Sequence, residues 1–296
     1  MPAASRPCLW LLLCTALLSP TTGGAATAEA TDPVSDAAGR DVSLPAPATR
    51  IVALAPHIVE NLYSIGAGEK IVGAVDYSDF PAEASDLPRV GGIAGISVER
   101  IVALEPDLVI GWLSGTDSRV MATLAELDIP YYLDEIRSLE DLGRSIEHLG
   151  VMTGETGRAG QALATLQDAI ASFGGEQYRR RPSVFLQLWD QPLQSVGAQH
   201  LLTDVVDRCG GRSITADVPG LAPRIELEAV LAADPDIIIV ESAAQARHWQ
   251  RFPDLKALRD DRVHEIDPDL LHRPTLRLLE GMDVICARIG ATLNHR

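Results

Sequence analysis

The feature that most constrains the fold is a stretch that occurs twice. Residues 99–110 read ERIVALEPDLVI and residues 228–239 read EAVLAADPDIII, in step without a gap at an offset of 228 − 99 = 129 residues. Each copy predicts a short helix followed by an apolar strand. An acidic residue suits the positive end of the helix dipole, and proline cannot continue the helix. A strand without polar alternation is typical of a parallel sheet covered on both faces.

The distance between the two copies predicts two similar α/β lobes with mainly parallel sheets and a ligand cleft between them. The alternative is that a helix, a Pro-Asp pair and a strand form a common combination that recurs by chance. A length of 296 residues is near the size at which one core gives way to two. A hydrophobic content of 46% is ample for packed cores, so an intrinsically disordered chain is excluded.

The chain begins with the pattern of a secretory signal peptide. A lone Arg6 precedes an apolar run over 8–18, and small residues lead to an A-x-A site at 26–28, so cleavage after Ala26 or Ala28 is expected. Lipidation of Cys14 is the weaker alternative. We predict a signal peptide over 1–28, an extended lead-in over 29–48, an N-terminal lobe over 49–152, an interlobe helix over 153–178 and a C-terminal lobe over 179–296.

The connection between the lobes reads as a helix. Residues 156–173 place Leu163, Leu166 and Ile170 on one stripe, and two glycines at 174 and 175 end the pattern. A continuous helix between two lobes predicts a rigid strut, so we do not expect a large hinge closure. A local hinge at the glycine pair remains open.

Export and charge limit the remaining possibilities. Only Cys209 and Cys286 remain after signal removal, and an even pair in an oxidising compartment predicts a disulfide, with two buried free thiols as the alternative. The formal charge of −16 repels phosphate backbones and anionic lipids, so nucleic acid and direct membrane binding are not expected.

Enzyme motifs are absent from the sequence. It has no dinucleotide fingerprint, no Walker loop, no nucleophile elbow and no HExxH pair. His57 and Glu60 share a predicted helical face and could hold a metal ion, but a capping histidine beside a solvated glutamate is the favoured alternative. We therefore predict a non-enzymatic protein without a cofactor or a directly bound metal.

Loops at the carboxyl ends of predicted strands carry a ring of aromatic and polar residues. Open α/β sheets bind ligands at this edge, and aromatic residues make up only 4% of the chain, which makes their placement informative. The pattern predicts a bulky, flat organic ligand between the lobes; the alternative is that each aromatic residue covers its own lobe's core. The candidate ligand-binding residues are Tyr77, Trp112, Trp189, Asp269, His272 and Arg273.

Several motifs together resemble a known family. They are RIVALAPHxxE at 50–60, IGAG at 65–68, VGxxDYSDFP at 72–81, the first repeat at 99–110 and CGG at 209–211. From about Arg50 onward the chain resembles the class III periplasmic binding proteins, the helical-backbone metal receptors of ABC importers, and among them the members that bind cobalamin.

The resemblance implies a monomeric receptor that carries a corrinoid, with cobalt held within the ligand, to an inner-membrane permease dimer. The family's ligand-binding tyrosine and tryptophan fall on Tyr77 and Trp112, and its C-terminal ligand loop on 269–273. Its disulfide falls on Cys209 and Cys286. The glutamates with which the family docks onto its permease fall on Glu99 and Glu228, one in each repeat.

Departures from the family pattern leave the ligand open. Expected aromatic positions hold Ile93, Ala222, Leu270 and Leu271, whereas Trp189 is additional. A ferric siderophore or haem is the alternative ligand, although a siderophore site would favour Arg and Tyr, and here Arg273 is the single arginine among mainly Trp. His272 could ligate cobalt, but a surface or hydrogen-bonding role is favoured. An exported α/β enzyme is the third reading.

Overall fold

A computed structural model describes residues 29–173 and 180–294. The predicted signal peptide and the glycine pair at 174 and 175 lie outside these ranges. Within them, no helix combines the length and the apolar character that crossing a membrane requires.

The first half of the described chain is built from short strands and helices in alternation. Its strands are β1 (Val34–Ser35), β2 (Asp41–Val42), β3 (Ile51–Ala53), β4 (Ile71–Ala74), β5 (Gly91–Gly92), β6 (Gly95–Ile96), β7 (Leu108–Trp112) and β8 (Tyr131–Asp134). Its helices are α1 (Pro56–Ser64), α2 (Val98–Ala103), α3 (Ser118–Glu126), α4 (Leu139–Thr153) and α5 (Thr156–Ser172).

The second half follows the same alternation. Its strands are β9 (Ser183–Asp190), β10 (Leu193–Ser195), β11 (Arg212–Ser213), β12 (Ile237–Val240) and β13 (Val263–Glu265). Its helices are α6 (Leu201–Arg208), α7 (Leu227–Ala233), α8 (Ala243–Trp249), α9 (Lys256–Arg259) and α10 (Leu278–Asn294).

Each half contains a parallel sheet of the same order. In the first half the order is β4-β3-β7-β8, and in the second β9 pairs in parallel with β11 and with β12, which pairs with β13. The repeated stretches form α2 with β7 and α7 with β12, at matching places in the two sheets. The predicted fold of two similar α/β lobes is therefore confirmed.

One apolar cluster runs through both halves. It joins Ile58 and Leu62 of α1 and Ile146 of α4 to Leu202 of α6 and Ile285 of α10. Two further clusters lie on the other faces of the sheets, one in each half. Because the largest cluster is shared, burial of apolar surface favours a fixed arrangement of the halves. The lobe boundaries predicted from the sequence remain a prediction.

Helix α5 forms residues 156–172 of the predicted interlobe segment 153–178, whose first residue belongs to α4 and whose residues 174–178 lie outside the described ranges. Helix α5 runs antiparallel to α4, where Gly150 approaches Ala159 and Gly143 approaches Leu163, contacts that larger side chains on α4 would obstruct. Its buried stripe therefore packs on the first half, and it does not stand free as a strut between the lobes.

Two further predictions concern the disulfide and the lead-in over 29–48. Cys209, at the end of α6, and Cys286, in α10, form the predicted disulfide, which ties these two helices together within the second half. The lead-in has no core of its own. It forms the β1–β2 pair and adds Val34, Leu44 and Ala48 to the shared cluster, so it is part of the first half's packing.

Candidate functional site

A cavity of about 500 Å³ lies between the two halves. In the first half its walls come from the segments that follow β3 and β8 and from the last residue of β7, and in the second half from the end of β9 and the segment after β13. The carboxyl ends of parallel strands therefore face the cavity, as expected for open α/β sheets. Its lining includes Ala55, His57, Trp112, Glu135, Ile136, Leu188, Trp189, Gln194, His200, Leu221, His272 and Arg273.

Trp112 is held firmly on the first half's wall. As the last residue of β7 it donates its backbone N–H to Thr116 Oγ1 at 2.9 Å, and Gly115 lacks the Cβ that would overlap the indole ring. The His57 ring meets the indole edge to face, with the ring centroids 5.7 Å apart. The sequence Trp-Leu-Ser-Gly thus forms a short turn that places the aromatic ring of Trp112 in the cavity wall.

Two aromatic side chains are far more exposed than is usual for their type. Trp189, near the end of β9, has 61% of its surface exposed, and Tyr77 has 68%. Tyr77 also adopts φ +64°, a left-handed conformation that residues with bulky side chains rarely take. Backbone strain of this kind clusters at binding sites, where the surrounding structure maintains it.

Arg273 connects the two halves at the edge of the cavity. Its guanidinium lies 2.7 Å from Glu60 Oε1 on α1 and 2.8 Å from Asp79 Oδ1, and it donates to the carbonyl of Tyr77 at 3.3 Å. Three acceptors from the first half therefore surround this guanidinium from the second half. The residue predicted as a ligand contact is committed to contacts within the protein.

Glu60 is the buried centre of this contact. Besides Arg273, it accepts a hydrogen bond from Thr275 Oγ1 at 3.2 Å, and Arg277 lies 3.6 Å away. Next to it, Asn61 donates its side-chain N–H to the carbonyl of Pro274 at 3.1 Å. We refer to Glu60, Asn61, Arg273 and Thr275 as the interlobe anchor. Glu60 is therefore not available to form a metal pair with His57.

Three histidines line the cavity, and their pKa values are shifted in two different directions. Burial lowers the pKa of His57 and of His200 to about 4, so both are neutral near pH 7. By contrast, the carboxylate of Glu241 lies 2.7 Å from His272 Nε2, and this close contact with an acid raises the pKa of His272. The cavity therefore contains two neutral imidazoles and one that is paired with an acid.

A buried acid lies behind His57. Asp134, the last residue of β8, accepts a hydrogen bond from Ser145 Oγ at 2.9 Å, and its Oδ2 is 4.0 Å from His57 Nε2. Burial raises the pKa of Asp134 to about 7. Between about pH 4 and pH 7, a neutral carboxyl and a neutral imidazole are thus neighbours in a region with little access to water.

The candidate ligand-binding residues fall into two groups. Trp112, Trp189, His272 and Arg273 line the cavity, whereas Tyr77 and Asp269 lie outside its lining. Their roles in ligand binding remain predictions.

The proposed docking glutamates lie elsewhere. Glu99 and Glu228 are exposed in the first turns of α2 and α7, at equivalent places in the two halves. The backbone amide of Glu99 and the hydroxyl of Ser97, 2.8 Å from its Oε2, lower the pKa of this carboxyl, so it is ionised near neutral pH.

Sequence reasoning did not identify His200, Gln194 and Glu135 as part of the site. Among the described residues, no group of three or more His, Cys, Asp or Glu side chains could hold a metal ion. His200 carries one weak local signal, since it stands just before α6 and its Nδ1 caps that helix by accepting from the N–H of Leu202 at 3.1 Å.

Comparison with known proteins gives a consistent result. Residues 51–271 match the periplasmic binding protein family. The chain is 34% identical over 252 residues to a vitamin B12-binding protein of Vibrio cholerae, covering 82% of this chain and 89% of the relative. It is 31% identical over 250 residues to a vitamin B12-binding protein of Pectobacterium carotovorum, covering 82% and 88%. Both relatives are binding proteins by name.

Solved structures agree on the fold. The crystal structure of the periplasmic vitamin B12 binding protein of Vibrio cholerae superposes with a TM-score of 0.77 at 30% identity, covering 84% of this chain and 99% of that one. A periplasmic haem-binding protein of Pseudomonas aeruginosa superposes with a TM-score of 0.72 at 23% identity, covering 83% and 94%, which bears on the fold alone. The chain belongs to the periplasmic binding protein family.

Proposed function

We propose that this protein captures a corrinoid, cobalamin or a close relative, in the periplasm and delivers it to an ABC importer. The observation that carries the proposal is the cleft, in which Trp112 from one half and Trp189 from the other line a single cavity. Two indoles on opposite walls suit a broad, flat ligand. Relatives named for vitamin B12 binding support the same ligand class.

The proposed site extends beyond the cavity lining. A corrinoid is larger than a cavity of about 500 Å³, so part of it would rest outside, against the exposed Trp189 and the exposed Tyr77. Tyr77 is attached to the rim because its carbonyl accepts from Arg273. In this arrangement His272 and Asp269 would meet the outer part of the ligand, and no separate cofactor would be needed.

The proposed partner is the permease dimer of an inner-membrane importer. Glu99 and Glu228 lie at equivalent positions in the two halves, which supports docking onto a partner with two-fold symmetry. The protein would be exported by a cleaved signal peptide and act as a monomer. A double variant, Glu99→Ala with Glu228→Ala, should impair corrinoid uptake by cells and leave the affinity for the ligand unchanged.

Haem or a ferric siderophore is the second candidate ligand, because a periplasmic haem-binding protein has the same fold. Against it stands the state of Arg273, whose guanidinium is already bound by Glu60 and Asp79 and so is poorly placed to receive the carboxylates of haem.

Calorimetric titration with cyanocobalamin, cobinamide and one ferric hydroxamate tests the proposal. Sub-micromolar binding of a corrinoid would support it, and binding of the hydroxamate alone would refute it. Trp112→Ala should weaken corrinoid binding by about thirtyfold, as expected for the loss of a central aromatic contact. Leu127→Ala, an exposed apolar change outside the cavity lining, is the control and should leave the affinity unchanged. An unchanged affinity of Trp112→Ala would refute the site.

A further inference from the structure

The cations that line the cavity are already paired. Among residues 29–173 and 180–294, the lining contains one arginine, Arg273, and one histidine whose pKa is raised, His272. Arg273 is bound by Glu60 and Asp79, and His272 by Glu241. A ligand carboxylate entering this cavity would lose its hydration without gaining an unpaired cation, which is strongly unfavourable.

His200 presents a hydrogen-bond donor to the same cavity. Its Nδ1 accepts the N–H of Leu202 at 3.1 Å, so in the neutral ring the proton must reside on Nε2. No side chain in the described part of the chain hydrogen-bonds to this Nε2. The helix cap therefore determines the tautomer, and the tautomer leaves an N–H available for an acceptor on the ligand. The same tautomer excludes His200 Nε2 as a metal ligand, because its lone pair is protonated.

His57 offers the matching group on the opposite wall. Its Nε2 is buried 4.0 Å from Asp134, whereas its Nδ1 makes no hydrogen bond to any residue that the structure describes and is the ring nitrogen available to a ligand. The ring also lies against Trp112, at the place where a ligand plane would rest.

We propose that His57 and His200, one from each half, recognise uncharged carboxamide groups on the edge of the ligand, and that the cleft thereby selects amides over carboxylates. This inference rests on the proposed function and specifies its chemistry. A carboxamide both donates and accepts hydrogen bonds, so its oxygen can accept from His200 Nε2 and another amide can satisfy either tautomer of His57. Its neutrality matches a cavity in which the cations are paired.

The ligand itself provides the first test. Cyanocobalamin is titrated calorimetrically at pH 7 beside its three monocarboxylic acids, in each of which one peripheral propionamide is hydrolysed. At least one acid should bind about tenfold or more weakly than the parent amide, because a carboxylate is then desolvated without a free cation. Equal affinity of all three acids and the parent would overturn the inference.

Two variants test the residues. His200→Asn retains an acceptor that can cap α6 but removes the Nε2 donor, and His57→Phe retains an aromatic ring against Trp112 but removes both nitrogens. Each should weaken cyanocobalamin binding about fivefold and reduce the preference for amide over acid. His264→Asn, on β13 and outside the cavity lining, is the control and should change neither. Thermal unfolding monitored by circular dichroism verifies that each variant is folded.

The outcomes separate this inference from the proposed function. If the wild-type protein binds no corrinoid, the proposed function fails and this inference with it. If the wild-type protein binds cyanocobalamin tightly but both histidine variants bind it equally well, the proposed function survives and only the assignment of the two histidines is overturned.

Discussion

The pair formed by Asp134 and His57 makes a quantitative prediction about stability and pH. In the folded protein the pKa of Asp134 is raised to about 7 and that of His57 is lowered to about 4, in both cases by burial. Between these values the folded pair holds one proton. The unfolded chain also holds one, on the histidine, because the ordinary pKa values are 3.8 for aspartate and 6.5 for histidine. The wild-type pair should therefore add almost no pH dependence over about pH 4 to 6.5.

Removing one partner reveals the opposing contributions. Because the folded-state pKa of Asp134 is raised, its contribution to the free energy of unfolding falls by about 1.4 kcal/mol per pH unit as pH rises from about 4 to 7. Because that of His57 is lowered, its contribution rises with pH by the same amount per unit up to about pH 6.5. Relative to the wild type, the free energy of unfolding of Asp134→Asn should thus rise by about 4 kcal/mol between pH 4 and 7. That of His57→Phe should fall, relative to the wild type, by about 3 kcal/mol between pH 4 and 6.5.

Urea unfolding at half-unit pH intervals measures these differences. Comparing each variant with the wild type at the same pH removes the contributions of the other ionisable groups, which the two proteins share. Asp168→Asn, on the exposed face of α5, is the matched control and should run parallel to the wild type. The reasoning is refuted if the curves for Asp134→Asn and His57→Phe also run parallel to the wild type, or if both deviate in the same direction.

Three other perturbations test the packing of the protein. Arg273→Met should lower the free energy of unfolding by about 3 kcal/mol, because Glu60 stays buried after losing its nearest cation. The control is Arg119→Ala, whose side chain lies in solvent and whose urea midpoint should equal that of the wild type. Equal urea midpoints for Arg273→Met and Arg119→Ala would contradict the prediction. Gln187→Leu should lower the free energy of unfolding by about 2 kcal/mol, since the buried indole N–H of Trp249 then loses its acceptor at 2.7 Å. Reduction of the disulfide, which spans 77 residues, should lower the free energy of unfolding by about 4 kcal/mol. Thermal unfolding with and without dithiothreitol measures this difference.

Local patterns predicted most of the fold. The two repeated stretches became α2 with β7 and α7 with β12, because an acidic first turn, a terminating proline and an apolar run are all properties of neighbouring residues. Strand β10 was missed for the opposite reason: a run of Leu-Gln-Ser carries no strand signal, and the strand exists because it pairs antiparallel with the end of β9. The position of α5 likewise depends on contacts with the preceding helix, where Ala159 and Leu163 approach Gly150 and Gly143 of α4.

The site shows the same division. Trp112 and Trp189 were predicted from their places after apolar strands, and both line the cavity. Sequence identified Arg273 as a cation in a loop but could not show that Glu60 and Asp79, about two hundred residues earlier, had already bound it. Roles that depend on partners brought together by folding require the structure.

The shared apolar cluster and the interlobe anchor join the two halves without any help from a ligand. Little ordering entropy then remains to be lost when a ligand enters the cleft. The outer surface that carries Glu99 and Glu228 would be the same for an empty molecule and a loaded one. An importer that contacts only this surface would bind the empty and the loaded protein equally well. Empty molecules would then compete with loaded ones for the importer, so the ratio of receptor to vitamin in the periplasm would set the rate of uptake.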